Sequence, residues 1–278
     1  MNNKNKNYDL NISILYDLDE DNVFLAKLDE LVSKTDFSVD LRNFKRLIIE
    51  KDLNFKDNET ERIESIRAYW NDKKKSDLEY IIGKQELIDA DEKGTQQLLL
   101  FLKEQNLIHD DDYLMELAAG VGRITKNILV KWFSKIDTLE PSKVLADKIV
   151  ALKKDYKEIK KIYVTTGEDF KFERKYNVIF ATWLFGNIND YHALKLLIKC
   201  RENLDDNGIF VLKENISDDH TLVTTSGMTQ KIRTLQCYKV LFSLAGFKEI
   251  LNRNTKGWPS HCYMLREFIL VKNNKIIK

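Results

Sequence analysis

The feature that most constrains this chain is the alternation of strand-like and helix-like segments that begins near residue 113. YLMELA (113–118) is apolar and strand-like, and RITKNILVKWF (123–133) has helical spacing. KIDTLEP (135–141) reads as a strand ending at a proline turn, and SKVLADKIVALKK (142–154) as a helix. IYVTTG (162–167), YNVIFATWL (176–184) and GIFVLKEN (208–215) add three strands, with a helix over about 189–203 before the last. TQKIRTLQCYKVLFSLAG (229–246) reads as one helix stopped by glycine, and FKEILNR and YMLREFILVK as two closing strands. Such alternation demands a mostly parallel sheet with helices on both faces. Ligands of such sheets bind at the carboxyl ends of the central strands.

The residues before this region follow a different pattern. LAKLDELVSK (25–34) and LRNFKRLIIEKDL (41–53) have helical spacing, so residues 1–60 read as a helical extension and 61–278 as the α/β domain. Within 61–112 the spacing predicts a helix ending near Trp70, a short apolar segment closed by Gly83, and an amphipathic helix over 92–108. The formal net charge of +1 argues against a nucleic-acid binder driven by bulk charge. The start carries no apolar run for secretion, and no stretch approaches the roughly 20 apolar residues of a membrane span. Cys200, Cys237 and Cys262 lack CxxC spacing, which argues against a zinc site or a disulfide framework. A reducing compartment, the cytoplasm and with it the nucleus, is the simpler setting.

The first strand runs into Glu116-Leu117-Ala118-Ala119-Gly120-Val121-Gly122-Arg123. Small residues at Ala118 and Gly120 let the backbone approach a ligand, and Gly122 permits tight entry into the helix. Glu140, about 20 residues on at the end of the next strand, can accept both hydroxyls of a ribose. A dinucleotide loop would want a third glycine near Thr125 and a bare helix terminus facing pyrophosphate. An acid at Glu116 suits the cationic amino-acid end of S-adenosylmethionine instead, and TTGEDF (165–170) offers an acidic loop beside an adenine.

ELAAGVGRITKNIL, followed by ATWLFGNINDYHALKLLIKCRENLDDNGIFVLKENI, resembles the protein α-N-terminal methyltransferases over about residues 66–270. GVGRITK, the W-x-x-G segment at Trp183–Gly186 and NGIFVLKEN are its most specific parts, and Tyr69-Trp70 matches that family's lid. The resemblance implies a Rossmann-like class I methyltransferase fold with a seven-stranded, mainly parallel sheet, and the N-terminal helical extension lies outside it. It implies S-adenosyl-L-methionine as cofactor and a protein N-terminal peptide as substrate, with no metal. Arg123 would meet the methionine carboxylate, Glu140 the ribose, Gly167 and Glu168 the adenine, and Thr182 stands where the family has a glutamine. Trp70 and Trp183 would wall the substrate channel, Asn215 position the amine, and Tyr263 line the peptide groove.

Departures from the pattern matter equally. Ala118 replaces the usual first glycine, tolerable if its backbone φ is negative, and Asn187 replaces a histidine near the substrate. The family's substrate-binding aspartates, a dozen residues past the asparagine, fall in HTLVTTSGMTQK, which contains no carboxylate. Asp218 and Asp219 are the nearest replacements. Two alternatives therefore stand beside N-terminal methylation. One is a methyltransferase for another amine; the other is a non-catalytic methyltransferase-fold protein that binds a partner, with residues 1–60 offering a contact. An NAD-dependent oxidoreductase comes third.

Overall fold

The computed structural model describes residues 56–81, 84–167, 169–219, 221–225 and 227–273. The expected helices at 25–34 and 41–53, and Glu168, lie outside the described residues. Three helices precede the sheet: α1 (Lys56–Asn71), α2 (Asp77–Ile81) and α3 (Gln85–Glu104). The expected domain boundary at residue 60 falls inside α1. The alternating region then gives β1 (Tyr113–Leu117), α4 (Arg123–Asn127), β2 (Lys135–Leu139), α5 (Lys143–Leu152) and β3 (Ile159–Tyr163). After it come β4 (Tyr176–Thr182), α6 (Asp190–Glu202), β5 (Leu204–Ser217), β6 (Thr221–Thr225) and β7 (Met228–Thr234). The described chain closes with α7 (Leu235–Leu244), β8 (Phe247–Asn254) and β9 (Met264–Lys272).

Strands β3, β2, β1, β4 and β5 pair in parallel in that order, and β9 pairs antiparallel with β5 and with β8. Those seven strands form the expected mainly parallel sheet. The hairpin β6–β7 is an addition, joined through Ile216 and Ser217 at the far end of β5.

Alternation along the central strands shows why the sheet is covered twice. Val178 and Phe180 of β4, with Ile209 and Val211 of β5, pack against α3 and the segment after β1. Ile179 and Ala181, with Phe210 and Leu212, pack against α6 and α7 on the other face. Side chains of period two with both faces apolar belong to a buried parallel sheet.

Two local expectations are corrected. Residues 229–234 are strand rather than the start of a helix. Thr234 caps the true start of α7, its Oγ1 accepting the Cys237 N–H at 3.1 Å. A threonine directly before an apolar run was the available signal. The helix expected over 123–133 ends at Asn127, because Ile128 leaves helical geometry (φ −128°) and a 3-10 turn follows over Leu129–Lys131.

Candidate active site

At the carboxyl ends of β1, β2, β4 and β5 the structure opens a groove of about 1340 Å³. One end is built by strand ends. Gly120 and Gly122 adopt φ +60° and +77°, and Ala118 adopts φ +53°. That corrects the expectation of a negative φ at Ala118: the alanine occupies the left-handed region that glycine fills without strain. Gly122 sits under the loop, where an added Cβ would lie 2.6 Å from Leu152 Cδ1, so it shapes the turn and does not line the groove.

Glu140 holds the loop from the next strand. Its two oxygens accept the Gly120 N–H at 2.8 Å and the Ser142 N–H at 2.9 Å. Burial raises its pKa to about 7. Glu116, equally buried, accepts from the Thr125 hydroxyl and is pushed up by burial to about 8. A carboxylate in that state gains from any cation or hydroxyl brought to it.

Arg123 lines the same end, yet it already has protein partners. Nη2 lies 2.6 Å from Asp91 Oδ2 and Nη1 lies 3.4 Å from Glu92 Oε1, both on α3. Asp91 also bridges to Lys213 Nζ at 2.6 Å, and that ammonium donates to Thr95 Oγ1 at 2.6 Å. Burial alone would raise the Asp91 pKa; Lys213 and Arg123 outweigh it and hold the carboxyl below its usual range. A guanidinium has five N–H donors, so this pairing orients Arg123 while leaving donors for a ligand carboxylate.

The other end is an assembly of distant segments. Trp183, directly after β4, adopts φ +51° and lies 6.0 Å between ring centroids from Trp258 in the β8–β9 connection. Arg123 stands 5.8 Å from the Trp183 ring centroid, within cation–π range. Asn187 donates to the Trp183 carbonyl at 2.9 Å and accepts from Gln230 Nε2 at 3.1 Å. Trp70 lines the groove from α1 and Tyr263 from the end of the β8–β9 connection. Ser142 Oγ donates to the Trp70 carbonyl at 2.7 Å, which ties the end of α1 to the Glu140 loop.

Asn215 lines the groove at the end of β5, and its Oδ1 is buried without a hydrogen-bond partner. Thr182 Oγ1 and Trp183 Nε1 share that condition. An unmade hydrogen bond on a buried polar atom costs about 1–3 kcal/mol, so three in one groove mark where a ligand completes the set. Thr182, with the raised carboxyls of Glu116 and Glu140, fits S-adenosylmethionine at the strand-end side, and Asn215 and Trp183 leave polar atoms for an acceptor.

Residues 58–271 match the family model described as AdoMet dependent proline di-methyltransferase. The chain belongs to that family. Among its relatives, the alpha N-terminal protein methyltransferase 1 of Dictyostelium discoideum is 28% identical over 158 residues, 56% of this chain and 58% of that protein. The match thus spans less than two thirds of that relative's length. N-terminal Xaa-Pro-Lys N-methyltransferase 1-B of Xenopus laevis is 24% identical over 172 residues, 61% of this chain and 77% of that one. A solved S-adenosylmethionine-dependent methyltransferase of Leishmania major shares the fold at a TM-score of 0.66 and 24% identity, covering 75% of this chain and 82% of that one.

Within this AdoMet-dependent fold, the structure gathers Glu116, Ala118, Gly120, Arg123, Glu140, Gly167, Thr182, Trp70, Trp183, Asn187, Asn215 and Tyr263 around one groove. It does not bring in Asp218 and Asp219, which are exposed on the turn after β5. The stretch that carries aspartates in the resembling family does reach the wall, as Met228 and Gln230 of β7. Sequence reasoning missed these two by reading β7 as helix. It also missed Asp91 and Lys213, whose pairing spans 122 residues, and Trp258, which no local pattern singles out.

Proposed function

We propose that this chain is an S-adenosylmethionine-dependent methyltransferase acting on the α-amino terminus of a protein. The observation that carries the reading is Asn215 Oδ1, buried and unpartnered in the groove beside Trp183. Glu116 would hold the cofactor's amino group, Arg123 its carboxylate, Glu140 its ribose, and Gly167 and Thr182 the adenine side. Bound there, the cofactor supplies an electrophilic methyl group on a sulfonium.

The chain's own residues prepare the acceptor. An α-amine has a pKa near 8, so about a tenth is neutral at pH 7. Asn215 accepts an N–H from that neutral amine and aims its lone pair, while Trp183 and Trp258 exclude water. The proton released on transfer leaves through the open groove. Asp218 and Asp219, exposed beyond the wall, have no part in the step. Trp70, Asn187 and Tyr263 shape the channel for a chain end. The three free cysteines suit a reducing, cytoplasmic or nuclear setting, and among the described residues no helix is long and apolar enough to cross a membrane. Among the described residues, the stretch that carries the resembling family's aspartates brings Met228 and Gln230 rather than a carboxylate to the groove, which favours one rival, a non-catalytic binder of the same fold.

The test incubates the full chain and cofactor with peptides whose termini are free or acetylated, read by intact mass. Methyl additions confined to free termini are expected. Arg123→Ala should abolish cofactor binding by calorimetry. Asn215→Ala should slow transfer roughly 10-fold, the worth of one hydrogen bond, with cofactor affinity intact. Tight cofactor binding with no transfer to any amine would install the non-catalytic reading.

A further inference from the structure

Trp183 and Asn187 belong to one short turn, and two buried charges outside the groove hold it. Trp183 keeps a left-handed backbone at φ +51°, and a 3-10 turn follows over Phe185–Asn187. A non-glycine residue at that φ is strained, and strain persists only where the surroundings impose it. The first N–H groups of such a turn also find no acceptor within it. Glu214, buried on β5, supplies one. Its Oε1 accepts the Phe185 N–H at 2.6 Å, and the Leu184 and Gly186 N–H groups face the same carboxylate.

Arg233 serves the opposite polarity. It is fully buried on β7, and its Nη1 donates to the Phe185 carbonyl and its Nη2 to the Ile188 carbonyl at 2.7 Å. Its Nε donates to Asp190 Oδ1 at 2.5 Å, which fixes the fork. The turn is thus gripped by its N–H groups from one strand and by its carbonyls from another, across 29 and 48 residues of sequence. Neither Glu214 nor Arg233 lines the groove. Arg233 and Tyr238 of α7 face the Glu214 carboxyl, and Arg266, its register partner on β9, is bonded to Asn252 and Asn254. Burial raises the Glu214 pKa to about 7, against the pull of the three N–H groups and Arg233.

We propose that Glu214 and Arg233 are positioning residues of the transfer step, a role that rests on the transferase reading above. Through the turn they set where Trp183 and Asn187 stand, and so where the acceptor amine meets the methyl group. In-line displacement tolerates little error: a displacement of about 1 Å in a supporting residue can cost about a hundredfold in rate. An ionised Glu214 offers only acceptors to the turn. Once protonated, one of its oxygens becomes a donor facing other donors, so the turn is held firmly only above about pH 7.

The experiment measures kcat and KM for a peptide with a free amino terminus at saturating cofactor, each rate expressed per cofactor site counted by calorimetry. Glu214→Gln keeps the shape without the charge, and Arg233→Lys keeps the charge without the fork. Both variants of the full chain should lose at least about 10-fold in kcat with cofactor affinity unchanged. In the unaltered chain kcat should fall below about pH 7, on a limb that Glu214→Gln lacks. The titration of the amine itself, near 8, stays in both. Tryptophan fluorescence of the cofactor-free chain gives a readout independent of activity: a transition over the same pH range, lost in Glu214→Gln and in Trp183→Phe. Unchanged kcat per site, or a Trp183 signal that neither variant alters, overturns the positioning role. No transfer to any amine by the unaltered chain overturns the transferase reading, and the fluorescence transition then decides the grip on Trp183 alone.

Discussion

The two ends of the groove are made in different ways. The cofactor end comes from consecutive strand ends of one sheet: Glu116 closes β1, Gly120 and Arg123 begin the next turn, and Glu140 follows β2. The acceptor end joins α1, the turn after β4, β7 and the β8–β9 connection, elements separated by up to about two hundred residues. Short-range construction leaves a readable spacing. Long-range construction leaves single residues whose partners are unknown until the chain is folded.

The sharpest way to break that contrast is Asp91→Asn. Asp91 comes from α3, outside the loop that announces the cofactor site, yet it is the carboxylate shared by buried Lys213 and by Arg123. Removing its charge leaves a fully buried ammonium paired only by hydrogen bonds. Breaking a buried pair in this manner costs about 3–5 kcal/mol, equivalent to roughly 10 °C in thermal midpoint for a domain of this size. Thermal unfolding of the free protein measures it. A loss below about 1 kcal/mol would mean that Lys213 is rehydrated in the variant and that the cofactor end is as locally built as its spacing suggests.

What was legible follows the same division. Four of the five parallel strands could be read within a few residues from their apolar positions and bounding turns, whereas the third, expected at 162–167, lies at Ile159–Tyr163, where two lysines interrupt the run; Glu140 could be read because it falls one strand after a small-residue loop. Arg123 was legible as a groove residue; its clamp by Asp91 and Glu92 was not, since nothing in the spacing of α3 points at a loop some thirty residues away. The β6–β7 hairpin was lost because TQKIR carries no clean period of two and merges with the helix behind it. Losing that hairpin removed Met228 and Gln230 from the acceptor wall, and left Asp218 and Asp219 as substitutes that the fold keeps in solvent.

A pH series probes the cofactor end from inside. Burial lifts Glu116 to about 8 and Glu140 to about 7 from an ordinary value of 4.5. Between these limits the native protein binds more protons than the unfolded chain, so the stability these groups contribute is present at low pH and falls as pH rises toward 8. Cofactor groups that prefer the ionised carboxylates work in the opposite direction, so binding should tighten over that window and release protons. Calorimetry at several pH values, in buffers of different ionisation heat, measures both quantities. Glu116→Gln should flatten the stability slope and reduce the proton release. Affinity and proton count that ignore pH would show that Glu116 is ionised before the ligand arrives.

The smallest expected effect separates the two ends most cleanly. Ala118 and Trp183 share nearly the same left-handed backbone, at φ +53° and +51°. An L-residue held there is strained by about 1–2 kcal/mol, and strain persists where the surroundings impose it. At Ala118 the side chain is a lone methyl group, so Ala118→Gly should stabilise the free protein by about 1 kcal/mol, after the added flexibility of the unfolded chain is subtracted. Cofactor affinity should hold or improve. At Trp183 the side chain is the wall itself, packed between Arg123 and Trp258. Trp183→Gly relieves the same backbone strain but should lose methyl transfer and gain no stability, because the packing of the indole outweighs the relief. Chemical denaturation of both variants gives the comparison directly. If the two glycines shifted stability alike, backbone strain rather than side-chain use would govern both positions, and Trp183 would lose its place in the acceptor wall.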